Sequence, residues 1–107
     1  MKPKSVKEDI HNNVPEGTDE VVKVIDIIIP EEFKKTKCGY NKIRWAEEYY
    51  IRNRKFDKPI SVVAETNERG ESNKLYLVNE YSRLLAAQNL WISYVPIKYI
   101  AIDNNEQ

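Results

Sequence analysis

The run from Val21 to Ile29 constrains this chain more than any other segment. Apart from Lys23 and Asp26 it consists of Val and Ile, and Pro30 ends it. β-branched side chains are stiff at χ1 and pack well on a pleated surface, so the run reads as a strand. Val22, Val24 and Ile28 alternate with Val21, Ile25, Ile27 and Ile29, which makes both faces apolar. A strand of that kind is covered on both sides or runs into a buried connection. Pro30-Glu31-Glu32-Phe33 then reads as a short helical turn, with acids beside the positive end of its dipole.

From Tyr40 to about Arg54 the period becomes helical. Ile43, Ala46 and Tyr50 share one face, Tyr40 and Tyr49 flank it, and Asn41, Arg44, Glu48 and Arg52 fill the other. Asp57-Lys58-Pro59 stops the helix. Pro59–Glu65 and Lys74–Asn79 read as two strands of a hairpin around a polar turn containing Gly70. Asn79 stands where an N-cap belongs, ahead of a helix from Glu80 to about Leu90 that buries Leu84 and Ala87. Tyr94–Ile102 is the last strand, and Pro96 within it points to an edge or a bulge. The order is strand, helix, strand, strand, helix, strand: an α/β (α+β) domain with a small mixed sheet and two main helices. Its expected limits are residues 20–103, with a flexible tail over 1–19 and a polar end over 104–107.

The chain has 107 residues, 17 basic and 17 acidic side chains, one His and one Cys. That length fits one domain. No apolar run approaches the ~20 residues of a membrane span, and the first 15 residues lack the apolar core of a secretory signal. One cysteine cannot close an internal disulfide, which suits the cytoplasm. Cys38 and His11 cannot make a zinc site by themselves. Balanced charge argues against nucleic-acid binding by bulk attraction and leaves room for a local basic patch. Glu31/Glu32 and Glu47/Glu48 are neighbours in sequence and point about 100° apart on a helix, so neither pair is a two-carboxylate site. No nucleophile–His pair, Walker loop or dinucleotide fingerprint is present.

Lys58-Pro59-Ile60, then Tyr76-Leu77-Val78-Asn79-Glu80-Tyr81-Ser82-Arg83-Leu84-Leu85-Ala86-Ala87, then Val95-Pro96-Ile97, together resemble the ParB N-terminal / sulfiredoxin superfamily, often labelled ParB-like nuclease. Its members enter a strand through "Q-P-I", follow with "D-G-x-x-R-x-x-A-A", and end in a "V-P-V" strand. The resemblance spans about residues 21–102 and implies a ParB/sulfiredoxin-like fold. It also implies phosphate binding where the hairpin turns into the second helix, because a helix N-terminus offers unpaired N–H groups and partial positive charge. Arg83 falls on the family's arginine. Asn79 replaces a common Asp, Ser82 a His or Arg, and Lys58 the Gln. Glu80 replaces glycine and brings a Cβ and a negative charge to the anion site. Tyr81 stands at the sulfiredoxin cysteine, so sulfiredoxin chemistry is not expected. A nuclease or NTPase activity is what the superfamily label implies. The chain leaves no room for the helix-turn-helix with which ParB reads DNA.

The expected function is that of a stand-alone ParB-like accessory protein in DNA maintenance or regulation, of a plasmid or mobile element for example. It would bind a nucleotide, such as a nucleoside triphosphate, or a nucleic-acid phosphate through Lys58, Pro59, Asn79, Glu80, Tyr81, Ser82 and Arg83. Beside this stands a scaffold reading: a protein-interaction or homodimerisation module without ligand chemistry. Arg83 could equally pair with Glu80 at i, i+3 on its own helix. Arg52, Arg54 and Lys55 could contact a nucleic-acid backbone or form a solvated helix end. Trp45, Tyr49 and Tyr50 could line a groove or the core. Trp91, where the family commonly has glycine, is either a lid on the core or an interface anchor.

Overall fold

A computed structural model describes residues 13–100. The expectations for residues 1–12, His11 included, and for 101–107 fall outside the described residues. The elements are β1 (Glu20–Lys23), a 3₁₀ turn (Val24–Asp26), β2 (Ile27–Ile28), α1 (Glu31–Lys35), α2 (Tyr40–Asn53), β3 (Ile60–Thr66), β4 (Ser72–Asn79), α3 (Tyr81–Asn89) and β5 (Tyr94–Tyr99). One five-stranded mixed sheet runs β1-β5-β3-β4-β2. This is the expected mixed α/β architecture.

The single strand expected over Val21–Ile29 is instead two short strands on opposite edges. β1 pairs antiparallel with β5, and β2 pairs parallel with β4. The buried residues are Val21, Val24 and Ile27, a spacing of three, whereas Ile25 is 85% exposed. Three is the period of the 3₁₀ turn at its centre, which keeps those side chains on one side. The split also dictates the shape of the sheet. Laid flat, β1 and β2 would lie four strand spacings apart, about 19 Å. The link from Lys23 to Ile27 spans at most about 15 Å fully extended. The sheet must therefore curl until its edges approach each other.

β3 and β4 form the expected hairpin, with Val62 opposite Leu77 and Ala64 opposite Leu75. Its turn is organised by Asn67, whose Oδ1 accepts the backbone N–H groups of Arg69 and Glu71. Gly70 takes φ 82°, a conformation that suits a residue without Cβ. β5 is an interior strand, not the edge that Pro96 implied, because it pairs with β1 on one side and β3 on the other. Pairing with β3 begins at Ile97, one residue past the proline.

Inside the curl lie Phe56, Ile60, Val62, Leu84, Val95 and Ile97, all fully buried. α2 and α3 pack against each other. Ala46 on α2 and Ala86 and Ala87 on α3 are wholly buried and small, which suits close approach of two helix backbones. Ile43 and Tyr50 pack on this core, as their helical spacing predicts, and the Tyr50 ring meets Phe56 at 4.8 Å. Residues 13–19 are tied on by Asn13 to the Arg54 carbonyl, by Asp19 N–H to the Ile97 carbonyl, and by Tyr99 N–H to the Asp19 carboxylate. Among the described residues no helix is long and apolar enough to cross a membrane.

Candidate functional site

The chain leaves β4 at Asn79 and enters α3 at Tyr81. Glu80, at φ 69° and ψ 43°, is the left-handed hinge between them. Asn79 is therefore not the helix N-cap. Its Oδ1 instead accepts the Glu80 N–H at 2.8 Å and holds the hinge. The Glu80 carbonyl accepts the Arg83 and Leu84 N–H groups. Those of Tyr81 and Ser82 belong to the first turn, which has no intrahelical acceptor to offer them. The left-handed backbone explains why glycine suits this position: any other L-residue is strained there by about 1 kcal/mol.

Arg83, one turn into α3, reaches across to Asp57, just beyond the end of α2. Nη2 donates to Oδ2 at 2.6 Å and Nε donates to Oδ1 at 3.1 Å, a bidentate pair. Nη1 donates to Glu80 Oε1 and to Ser82 Oγ, both at 3.3 Å. The other Glu80 oxygen lies 3.4 Å from Lys58 Nζ. Burial works against the Arg83 charge, but its bonds to Asp57 and the fields of Asp57 and Glu80 outweigh that, so its pKa is raised. The guanidinium also lies 5.5 Å from the centre of the Trp45 ring, which stacks on Tyr49. The i, i+3 contact with Glu80 thus forms, and a stronger partner, Asp57, joins it.

A cleft of about 750 Å³ opens beside this cluster. Lys58, Asn79, Glu80, Tyr81, Ser82 and Arg83 line one part, and Phe33, Cys38, Asn41, Lys42 and Trp45 line the rest. Its volume falls within the range of small-molecule sites. Phe33 packs against Tyr81 with ring centres 5.4 Å apart. Three cations face or border the cleft, Lys42, Lys58 and Arg83; Glu80 and Asp57 offset two of them. Lys42 makes no ion pair among the described residues. Among those residues no cluster of three or more His, Cys, Asp or Glu could hold a metal ion.

The remaining sequence candidates lie elsewhere. Pro59 is buried beside β3 and does not line the cleft. Arg52 and Arg54 are exposed at the end of α2, where Arg54 takes the left-handed C-cap conformation, and neither they nor Lys55 border the cleft. Trp91 is 92% exposed, not a lid on the core, and lies beyond the far end of α3. Of Trp45, Tyr49 and Tyr50 on α2, Trp45 lines the cleft, Tyr49 stacks behind it and Tyr50 packs on the core. Sequence reasoning missed Asp57 and Lys42. Asp57 sat in a stretch read as a helix stop. Lys42 and Trp45, three apart on α2, had no apparent reason to meet the start of α3.

No protein-family model matches the sequence, and no curated protein matches it. Solved structures do. Sulfiredoxin from Arabidopsis thaliana superposes with a TM-score of 0.61 at 19% identity, over 78% of this chain and 88% of that one. Free serine kinase in complex with AMP superposes at 0.60 and 14% identity, over 87% of this chain and 38% of the kinase chain. A free serine kinase variant in complex with ADP gives the same values. The chain thus has the ParB/sulfiredoxin-like fold. It spans well under half of the kinase.

Proposed function

We propose that this chain is a binding protein for a nucleotide phosphate, free or within nucleic acid, and that the cleft at the start of α3 is its site. The observation that carries this reading is the coincidence of three features in one hollow. They are a helix N-terminus, whose first-turn N–H groups lack intrahelical acceptors, an arginine one turn in with Lys42 and Lys58 nearby, and an aromatic wall from Phe33, Trp45 and Tyr81. Backbone donors and lysines suit phosphate, and aromatic surface suits a base. The solved neighbours carrying AMP and ADP support the same reading. Glu80 tempers affinity without closing the hollow, because its carboxylate already holds Lys58 and Arg83. Tyr81 at the cysteine position keeps the proposal to binding, without sulfiredoxin chemistry. A role in DNA maintenance or regulation is the setting that the ParB-like resemblance implies.

Calorimetric titration with CTP, ATP and short DNA tests it, repeated with Arg83→Ala. Saturable binding by the parent that weakens at least tenfold in the variant is the expected result. No saturable binding of any of these ligands contradicts it.

A second reading, the protein-interaction module, has its own observation. Trp91 holds φ 59° with its side chain 92% exposed, so it is strained and yet adds almost nothing to the core. Light scattering of the parent and of Trp91→Ala decides: self-association lost in the variant favours it, and a monomer in both removes its dimeric form.

A further inference from the structure

The charges in and around the cleft narrow its ligand, provided that the cleft is the phosphate site. Arg83, Lys58 and Lys42 meet Asp57 and Glu80, which leaves one positive charge in surplus. A nucleoside triphosphate brings about four negative charges and normally a divalent cation held by carboxylates. Both acids at the site, Asp57 and Glu80, are already paired with Arg83 and Lys58, and the Glu80 carboxylate would face a polyphosphate at close range. A phosphodiester brings a single charge.

Further positive charge lies outside the hollow. Phe33 and Cys38 both line the cleft, and the chain between them reads Lys34-Lys35-Thr36-Lys37. All three lysines are exposed. Lys34 pairs with Glu31, while Lys35 and Lys37 make no ion pair among the described residues. A mononucleotide seated in the cleft leaves them unused, whereas a strand continues past the mouth and meets them with its next phosphates. The aromatic wall can take only a base that has left its stack, which a single strand supplies and a duplex does not.

We propose that the cleft takes one phosphodiester and its base from a single-stranded nucleic acid, with the neighbouring phosphates on Lys35 and Lys37, in preference to a free nucleoside triphosphate.

The test is fluorescence titration in a Trp91→Phe background, where Trp45 is the sole indole. The ligands are single-stranded oligonucleotides of about ten residues, DNA and RNA, their duplex forms, and CTP and ATP with magnesium. The expected result is saturable quenching by a single strand, at least tenfold tighter than by either triphosphate. Its salt slope should be roughly −2, for three phosphates at about 0.7 each. Reversing Lys35 and Lys37 to Glu should weaken the strand about tenfold and change triphosphate binding less than twofold. Tighter binding of a triphosphate, or of duplex, overturns this inference and leaves the phosphate site standing. Equal loss for strand and triphosphate on lysine reversal also overturns it. No response to any ligand, with calorimetry silent as well, overturns both.

Discussion

Glu80 is where local strain and charge meet. Its left-handed backbone costs about 1 kcal/mol, and its carboxylate gains contacts with Arg83 and half-exposed Lys58 that together offset a similar amount. Glu80→Gly should therefore change unfolding free energy by less than about 1 kcal/mol in urea denaturation while tightening phosphate binding, since Lys58 is released and Arg83 is left with Asp57 as its one carboxylate partner. Arg83→Ala acts differently. It strands Asp57 and Glu80, whose side chains are only 18% and 14% exposed, beside each other without their shared cation. A loss of about 2 kcal/mol is expected in the same assay. Tyr99 supplies a pH signature. Burial, its hydrogen bond to Glu20 and the nearby Glu20 and Asp19 charges push its pKa up from 10.0 to about 12. Below pH 10.0 folded and unfolded chains both keep the proton, and the contribution is complete. Between 10.0 and about 12 the unfolded chain releases it first, so stability falls as pH rises. Urea midpoints should fall over that range more steeply for the parent than for Tyr99→Phe. Parallel falls would contradict the assignment.

At the scale of elements, the hairpin and both main helices were legible in the sequence because each is organised by its own period and its own punctuation. The break at Val24–Asp26 was not. A run of Val and Ile satisfies an alternating pattern and a spacing of three equally well, and the choice was made by pairing with β4 and β5, far along the chain. Pro96 misled for a related reason, since nothing local reveals that β3 joins β5 only from Ile97 onward. In the site, Arg83 and the start of α3 could be found from the motif. Lys42, Trp45 and Asp57 reach them through packing of α2 on α3, which no short-range pattern encodes. Trp91, just past α3, gives a test of element ending. Trp91→Gly removes a left-handed non-glycine residue whose side chain is 92% exposed. It should stabilise by about 0.5–1 kcal/mol, a rise of a few degrees in thermal midpoint. A fall would show that the indole has packing not visible in its exposure.

The whole molecule is a curled sheet closed by two helices, and the curl determines where function sits. By bringing β2 round to β4, it sets Phe33 of α1 and Cys38 on the same cleft as the start of α3. The same fold persists in solved proteins at 14–19% identity, which is expected when architecture rests on pattern and burial more than on particular side chains. What a particular chain binds depends on the few residues at that corner. The most direct measurement is amide and indole chemical-shift mapping by ¹⁵N NMR, titrating the full chain with a short single-stranded oligonucleotide. If the cleft is the binding site, saturable shifts centre on the backbone amides of Tyr81 and Ser82 and the indole of Trp45, and they disappear in Arg83→Ala. Shifts confined to the Trp91 end of α3, or none at all, would contradict that placement.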